Sequence, residues 1–266
     1  MKIRPWLKRN AGWGALIAAV VLVMSSLYLS WGEGGEGGKT AKTEGMANMG
    51  TGSWHESIDV IYYINLDHRE DRRDQFLDEM RRTQVPDAKI VRISGVYKPG
   101  QGDWGCSLSH LKAMTQFEAS PHRNCVIFED DFVFQCDTDE LNRVFAQWNR
   151  EAIPYDVCML SANIGHSEPT PYPGVHRVMD AQTASGYLVN HEYAPALLRN
   201  FQEGTGLIGK SYQEQGKRED IQRPFCIDQY WKRLQRTDRW FVFEPKLGIQ
   251  RPSFSDIQGG FIDSGV

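Results

Sequence analysis

The sequence VIFEDDFVF at residues 126–134 decides the fold, because three apolar residues lead into three acids and three more apolar residues follow. A short apolar run that is rich in β-branched and aromatic residues is typical of a buried strand. Unpaired carboxylates inside a dry sheet are costly, so these acids should mark the point where the strand leaves the core. We therefore expect Glu129, Asp130 and Asp131 at the edge where open α/β sheets bind their ligands.

The three adjacent acids indicate a metal site. Clustered carboxylates repel one another, and a divalent cation relieves this repulsion because hard cations prefer oxygen ligands. A cation held there would in turn bind a phosphorylated substrate. The other interpretation is a solvated acidic turn after a strand, since Asp is common in turns.

The composition narrows the classes of function. The 266 residues suffice for one sizeable core, or for one domain with appendages. The formal net charge of −4 gives no electrostatic case for nucleic-acid binding. Five cysteines are present, so an oxidising compartment would leave at least one thiol without an intramolecular partner. No Cys-x-x-Cys pair or His/Cys cluster in the sequence indicates zinc.

The N-terminal region predicts a membrane anchor. Basic residues at positions 2, 4, 8 and 9 precede an uncharged stretch over 10–32. About 20 apolar residues cross a bilayer, and basic residues on the leading flank favour a cytoplasmic N-terminus. We predict a cytoplasmic tail over 1–10, a transmembrane signal anchor over 11–31, a flexible Gly-rich stem over 32–56 and a folded domain over 57–266. A cleaved signal peptide is the alternative, and either one places the domain outside the cytosol.

Strand and helix patterns alternate through the first half of this domain. Strands are predicted at 59–66, 89–94, 126–134 and 155–161, with helices between them, which favours an α/β fold with a mainly parallel, Rossmann-like sheet and flanking helices. The second half predicts a loop over 163–174, two shorter strands over 175–180 and 183–190, and a helix over 193–201. A mobile surface loop over 203–223, a helix over 227–234 and a strand over 240–243 then follow.

Polar residues after the first strand point to an anion site. Asn65, Arg69 and Arg72 lie around a predicted helix start, where the stretch 67–70 resembles a capping box and a helix N-terminus favours anions. The alternative is that these arginines are surface charges paired with neighbouring acids. His110 falls in the first turn of the next helix, where a packed or capping histidine is the alternative to a functional one.

Three motifs together resemble glycosyltransferase family 25, which includes bacterial lipooligosaccharide galactosyltransferases and procollagen galactosyltransferases. They are INLDHREDRRDQF at 64–76, GDWGCSLSHL at 102–111 and VIFEDDFVF at 126–134. The resemblance implies a GT-A-like nucleotide-sugar-binding fold, a UDP-sugar donor and Mn²⁺. It also implies that Glu129 and Asp131 bind the metal and that Asn65, Arg69, Arg72, His110 and Asp130 surround the nucleotide sugar. The motif here is Glu-Asp-Asp rather than Asp-x-Asp.

The remaining site residues lie in the C-terminal part. An inverting transfer needs a group that takes the proton of the acceptor hydroxyl, and Asp228 is our candidate because it follows a loop at a helix start. A helix N-cap is the alternative for Asp228. Asp256, in the polar tail, is predicted as a further metal ligand.

The predicted protein is a single-pass type II membrane enzyme that faces the Golgi or endoplasmic reticulum lumen, or lies in the bacterial inner membrane if the source is prokaryotic. It would transfer a hexose, with galactose favoured, from a UDP-sugar to a glycan or hydroxylated protein acceptor. One alternative is a catalytically silent glycan-binding or scaffolding protein on the same fold. Another is a metal-dependent phosphohydrolase, which the histidine spacing does not favour.

Overall fold

The computed structural model describes residues 52–255 and 260–262. The predicted tail, anchor and most of the predicted stem lie outside these residues, and so does Asp256. Within the described residues, no helix combines the length and the apolar character that crossing a membrane requires. The membrane anchor over 11–31 therefore stays a prediction.

The folded region combines twelve strands with seven α-helices among the described residues. The strands are β1 (Val60–Asn65), β2 (Ile90–Ser94), β3 (Asn124–Glu129), β4 (Phe132–Phe134), β5 (Val157–Met159), β6 (Asn163–Pro169), β7 (Val175–Gln182), β8 (Gly186–Asn190), β9 (Trp240–Phe243), β10 (Gly248–Gln250), β11 (Ser253–Ser255) and β12 (Gly260–Ile262). The helices are α1 (Glu70–Arg82), α2 (Gly102–Glu118), α3 (Thr138–Glu151), α4 (Ala194–Gln215), α5 (Glu219–Gln222), α6 (Ile227–Tyr230) and α7 (Lys232–Gln235).

The main sheet has eight strands in the order β2-β1-β3-β8-β5-β9-β7-β6. Strands β2, β1 and β3 are parallel neighbours, as are β5 and β9. Strands β7 and β8 run against the others. The predicted α/β architecture is therefore confirmed, and the sheet is mixed, with most of its strands pointing in one direction. Strands β4 and β10 form a separate antiparallel pair beside it.

Each face of the sheet supports its own apolar core, and β1 shows why its sequence is almost continuously apolar. Val60, Tyr62 and Ile64 pack on one face, whereas Ile61 and Tyr63 pack on the other. Every residue of β1 is buried, as expected for a strand covered on both sides. Helices α2 and α4 supply Phe117 and Phe201 to the first core, and helices α1 and α3 supply Phe76 and Phe145 to the second.

Two predicted loops are regular elements in the structure. Residues 163–169 form strand β6, which pairs with β7 at the edge of the sheet through an irregular register. Its side chains are mostly exposed, so the strand lacks the apolar alternation that would have revealed it. Residues 203–215 continue α4, although three glycines and several polar residues lie in this stretch. The predicted mobile loop over 203–223 is therefore wrong over most of its length.

Two further local predictions need correction. The predicted capping box at 67–70 does not form, because Asp67 accepts hydrogen bonds from Arg92 at 2.7 Å and from Ser94 at 3.0 Å. Helix α1 begins at Glu70 with no side-chain cap from Arg69. The predicted helix over 227–234 is two short helices, α6 and α7, that meet at Trp231. All five cysteines are free thiols.

Candidate active site

A cleft of about 750 Å³ opens at the carboxyl ends of β1 and β3. Its walls come from the loop after β2, the start of α2, the acidic turn after β3, and the segment from α4 to α6. Charged side chains of both signs line it, which suits a ligand that carries phosphates and a cation. The acids are Asp103, Glu129, Asp130, Asp131, Glu219 and Asp228, and the bases are Arg72, Lys98, Lys217, Arg223 and Arg251.

The acidic turn lies at the floor of this cleft and not in bulk solvent. Strand β3 ends at Glu129, the chain turns at Asp130 and Asp131, and β4 begins at the next residue. Asp130 is 6% exposed and Asp131 is 5% exposed. The interpretation of a solvated acidic turn is therefore wrong for these two side chains, and their charges need compensation inside the protein.

Arg72 and Asn65 compensate Asp130. Arg72 Nη1 lies 3.0 Å from Asp130 Oδ1, and Asn65 Nδ2 donates to Asp130 Oδ2 at 2.7 Å. Asn65 is itself held by Arg92, whose Nε donates to Asn65 Oδ1 at 3.0 Å. Burial nevertheless raises the pKa of Asp130 above its ordinary value, although Arg72 and Asn65 act in the opposite direction. Asn65 and Arg72 thus both contact the acidic turn, and their binding of a nucleotide sugar stays a prediction.

Arg69 is oriented differently. Its guanidinium makes two hydrogen bonds to Asp71, at 3.0 Å and 2.9 Å, and its carbonyl oxygen accepts from Asn65 Nδ2 at 2.9 Å. Arg69 thus holds the Asn65 side chain through its backbone carbonyl, and the Arg69 guanidinium is paired with Asp71 in the first turn of α1. A direct contact of Arg69 with a nucleotide stays a prediction.

Asp131 is the least satisfied carboxylate of the turn. Its Oδ2 lies 3.2 Å from Arg72 Nη1 and accepts from Gln250 Nε2 at 3.2 Å. Its Oδ1 is buried and has no hydrogen-bond partner in the part of the chain that the structure describes. Burial raises the pKa of Asp131 to about 7, and the negative charge of Glu129 adds to this effect. A buried carboxylate oxygen without a partner in a polar cleft is the feature that a bound cation would explain.

Glu129 is held from the helix side. His110 Nε2 lies 2.9 Å from Glu129 Oε1, and the Cys106 thiol donates to the same oxygen at 3.6 Å. The other ring nitrogen of His110 lies 2.9 Å from the hydroxyl of Tyr187. Burial opposes ionisation of Glu129, but the His110 contact outweighs it and holds the Glu129 pKa below its ordinary value. His110 is fully buried with both nitrogens engaged, so its geometry favours positioning Glu129 over touching a nucleotide.

Asp228 lies in the first turn of α6 and lines the cleft. Its Oδ2 accepts a hydrogen bond from the Thr183 backbone N–H at 3.2 Å. The N-cap position of α6 belongs to Cys226, so the capping alternative for Asp228 is not what the structure shows. Burial raises the pKa of Asp228, and the charge of Glu129 acts in the same direction. A carboxylate of raised pKa in a cleft suits a proton acceptor.

The sequence reasoning missed residues that only the fold brings to the site. Gln250 of β10 reaches Asp131 and also lies 3.5 Å from Glu129 Oε2. Tyr212 near the end of α4 donates to Asp103 Oδ1 at 2.6 Å and stacks on Trp104, which joins α4 to the start of α2. Neither contact has a signal in the sequence, since each joins positions more than a hundred residues apart.

Comparisons with known proteins give only weak likenesses. No family model and no curated protein matches the chain. The structure is similar to a mannose-1-phosphate geranyltransferase from Thermus thermophilus (8% identity, 72% of this chain and 73% of that one, TM-score 0.40). It is also similar to A197 from STIV (12% identity, 73% and 94%, TM-score 0.37) and to a UDP-glucose pyrophosphorylase complexed with UDP-glucose (8% identity, 69% and 72%, TM-score 0.37). TM-scores this low carry no argument about activity.

Proposed function

We propose that this protein is a divalent-metal-dependent transferase that uses a nucleotide sugar. The finer proposal is transfer of a hexose, with galactose favoured, from a UDP-sugar to a hydroxyl of a glycan or hydroxylated protein, as the family 25 resemblance implies. One observation carries it: the buried Oδ1 of Asp131 has no partner among residues 52–255 and 260–262, and it lies beside Glu129 on the floor of a cleft that also presents Arg72.

The residues of the acidic turn fit a hard divalent cation such as Mn²⁺. Among the described residues Asp131 Oδ1 has no hydrogen-bond partner, and Glu129 Oε2 has a long 3.5 Å contact from Gln250. Both are carboxylate oxygens on the cleft, which is the donor type that such cations prefer. When bound, the cation supplies charge stabilisation for the diphosphate leaving group.

The chain's own residues would divide the remaining work. Arg72 brings positive charge to the floor of the cleft, and Asn65 and Arg92 hold Asp130 and its neighbours in place. Lys98, Lys217 and Arg223 line the cleft and offer charge to the phosphates. Asp228 is the candidate base: its raised pKa lets it accept a proton from an acceptor hydroxyl that enters the cleft beside it.

The test is donor binding and hydrolysis by the full chain in detergent, with and without Mn²⁺. Calorimetry and release of free UDP would be measured for UDP-galactose, UDP-glucose, UDP-N-acetylglucosamine and GDP-mannose. Asp131→Asn should reduce donor hydrolysis by at least about 100-fold, because it removes charge at the cation site. The control is Asp139→Asn, an exposed acid of α3, which should behave as wild type.

Two outcomes would overturn the proposal. If no donor binds or is hydrolysed with Mn²⁺ present, the enzyme proposal fails and the silent scaffold of the same fold remains. If UTP and a sugar 1-phosphate react to give pyrophosphate while no UDP-sugar is consumed, the chain transfers nucleotides and not sugars.

We also propose that segment 11–31 anchors this domain to a membrane with the N-terminus in the cytoplasm. The proposal rests on its uncharged, apolar sequence and the preceding basic residues. Protease digestion of sealed membrane vesicles should leave the folded domain protected when it lies in the lumen. Digestion of the domain in intact vesicles that are open only to the cytoplasmic face would contradict this topology.

A further inference from the structure

Cys106, His110 and Glu129 place three different metal-binding atoms around one point on the cleft. The Cys106 sulfur, a ring nitrogen of His110 and a carboxylate oxygen of Glu129 lie within 4.8 Å of one another. Cys106 and His110 are four residues apart on α2, so one helical turn brings them to the same side. Glu129 approaches from the end of β3.

We propose that these three residues bind a borderline-soft divalent cation of the Zn²⁺ type. This site adjoins the proposed hard-cation site at Asp131 and shares Glu129 with it. A thiolate, an imidazole and a carboxylate are the donors that Zn²⁺ takes in proteins, whereas Mn²⁺ favours oxygen. The proposal does not rest on the proposed transfer activity.

Two of the ligand-atom distances are close to those of such a site, and all three atoms lie within 4.8 Å of one another. Zn²⁺ bonds of about 2.0 to 2.3 Å in a tetrahedral arrangement separate the ligand atoms by roughly 3.3 to 3.6 Å. The Cys106 sulfur already lies 3.6 Å from Glu129 Oε1, and His110 Nε2 lies 2.9 Å from the same oxygen. The His110–Glu129 pair would open by a few tenths of an ångström as the cation replaces their hydrogen bond. The fourth position would face the cleft, which all three residues line.

The surroundings of His110 match the support that metal-bound histidines receive. A ring nitrogen that binds a metal carries no proton, so the proton must lie on the other nitrogen. In His110 that nitrogen is Nδ1, which lies 2.9 Å from the hydroxyl oxygen of Tyr187. The Tyr187 hydroxyl oxygen can accept a hydrogen bond from this N–H and so fix the orientation of the imidazole ring, as residues around metal ligands commonly do.

Glu129 offers a different oxygen to each proposed cation. Its Oε1 meets His110 and Cys106, and its Oε2 faces Gln250 on the side of Asp131. A Zn²⁺ ion bound through Oε1 would therefore alter the carboxylate that the hard cation also needs. This arrangement links occupancy of the soft site to the state of the acidic turn.

Cobalt(II) provides the decisive readout, because a cobalt–thiolate bond gives a charge-transfer absorption in the near ultraviolet. The full chain, purified without a histidine tag and in reducing buffer, would be titrated with Co²⁺ alone and then with Zn²⁺. We expect the thiolate band at one equivalent of Co²⁺, and its loss when Zn²⁺ displaces the cobalt.

Two substitutions and one matched control complete the experiment. Cys106→Ser should abolish the band and weaken Zn²⁺ binding by about 100-fold or more, since even outer-shell losses cost roughly 10- to 100-fold. Tyr187→Phe should keep the band while weakening affinity by about 10-fold or more. Cys226→Ser, which removes another thiol on the same cleft, should change neither. Absence of the band in the wild type, or its survival in Cys106→Ser, would overturn the proposal.

A negative result here is distinguishable from failure of the proposed transferase. The cobalt spectrum is recorded without nucleotide or acceptor, so it reports on metal–thiolate binding and not on transfer. Donor hydrolysis with Mn²⁺ is tested separately through Asp131. Either proposal can therefore fail while the other stands.

Discussion

Replacing Arg72 with methionine measures how strongly the acidic turn depends on the positive charge of the Arg72 guanidinium. Arg72 Nη1 lies 3.0 Å from Asp130 Oδ1 and 3.2 Å from Asp131 Oδ2. The Arg72 side chain is 12% exposed and each aspartate side chain 7% exposed, so water screens these contacts weakly. Removing one partner of a buried ion pair costs about 3–5 kcal/mol, because the remaining charge stays uncompensated. We expect Arg72→Met to lower the free energy of unfolding by that amount near pH 8.

The size of this loss should depend on pH and on metal. Burial raises the pKa of Asp131 to about 7 and raises that of Asp130. Below pH 5 the folded protein therefore holds Asp131 mostly protonated, so removing Arg72 leaves less negative charge without a partner. A divalent cation that binds only the folded state adds about 2.7 kcal/mol at a hundred times its dissociation constant. Mn²⁺ should therefore restore much of the stability of Arg72→Met.

Urea unfolding followed by tryptophan fluorescence would provide these free energies for the full chain. Arg73→Met is the matched control on the same helix. The Arg73 side chain is 35% exposed and lies 3.7 Å from Glu70 and 3.8 Å from Asp74, so its loss should cost less than about 1 kcal/mol. Equal losses in the two variants, or a loss in Arg72→Met that is the same at pH 5 and pH 8, would refute the reasoning.

Three further outcomes follow from the same structure. Without metal, acidification from pH 7 to pH 4 should stabilise wild type relative to Asp131→Asn by on the order of 3 kcal/mol. The folded-state pKa of Asp131 is above its ordinary value, so the stability gained by protonation is lost as the pH rises through about 7. A pH series of urea midpoints checks this, and a difference that does not change with pH contradicts it. Gly248→Ala should lower the free energy of unfolding by roughly 1–3 kcal/mol, since its Cβ would lie 2.2 Å from Phe132. A Cβ at Gly206 in α4 would have no atom within 4 Å, so Gly206→Ala should raise the free energy of unfolding by about 0.5–1 kcal/mol in the same assay. Asp228→Asn should lower transfer by about 100-fold or more with unchanged donor affinity by calorimetry, and retained turnover would remove Asp228 as the base.

The parts of the fold that the sequence predicts well are those in which local pattern and tertiary environment agree. Strand β1 is apolar throughout because both of its faces are covered. Strand β3 is buried in the same way, so the acids in the pattern of residues 126–134 must lie at its end. The cost of burying an unpaired charge is local information, so it can be applied without knowing the partners. This reasoning located the acidic turn but could not show that Arg72 would neutralise it.

Helix α4 shows where local pattern fails. Its glycines suggested a loop, yet they are sites of close packing inside a helix. A Cβ on Gly209 would lie 2.7 Å from Trp104, and one on Gly204 would lie 2.9 Å from the carbonyl oxygen of Phe225. Glycine at these positions lets α4 approach its neighbours, and that tertiary reason outweighs the poor helix propensity of glycine.

The candidate site was only partly predictable for a related reason. Asn65 and Arg72 follow β1 and the acidic turn follows β3, and these two strands are parallel neighbours, so the topology of the sheet brings them together. His110 was identified as polar and near a helix start, but its contact with Tyr187 joins positions 77 residues apart. The sequence analysis found no His/Cys cluster, and Cys106 and His110 become metal-binding candidates only because the fold brings Glu129 of β3 beside them.

The pairing of β10 with β4 has a consequence for biosynthesis. Gly248–Gln250 lie against Phe132–Phe134, and the Arg251 backbone N–H donates to the Asp131 carbonyl oxygen at 2.7 Å. A nascent chain on the ribosome exposes the acidic turn more than a hundred residues before it can supply these partners. Until residues 248–251 have been synthesised, the growing polypeptide carries the acidic turn without these partners. A chaperone or a free cation in the compartment of synthesis would therefore meet the acidic turn before strand β10 does.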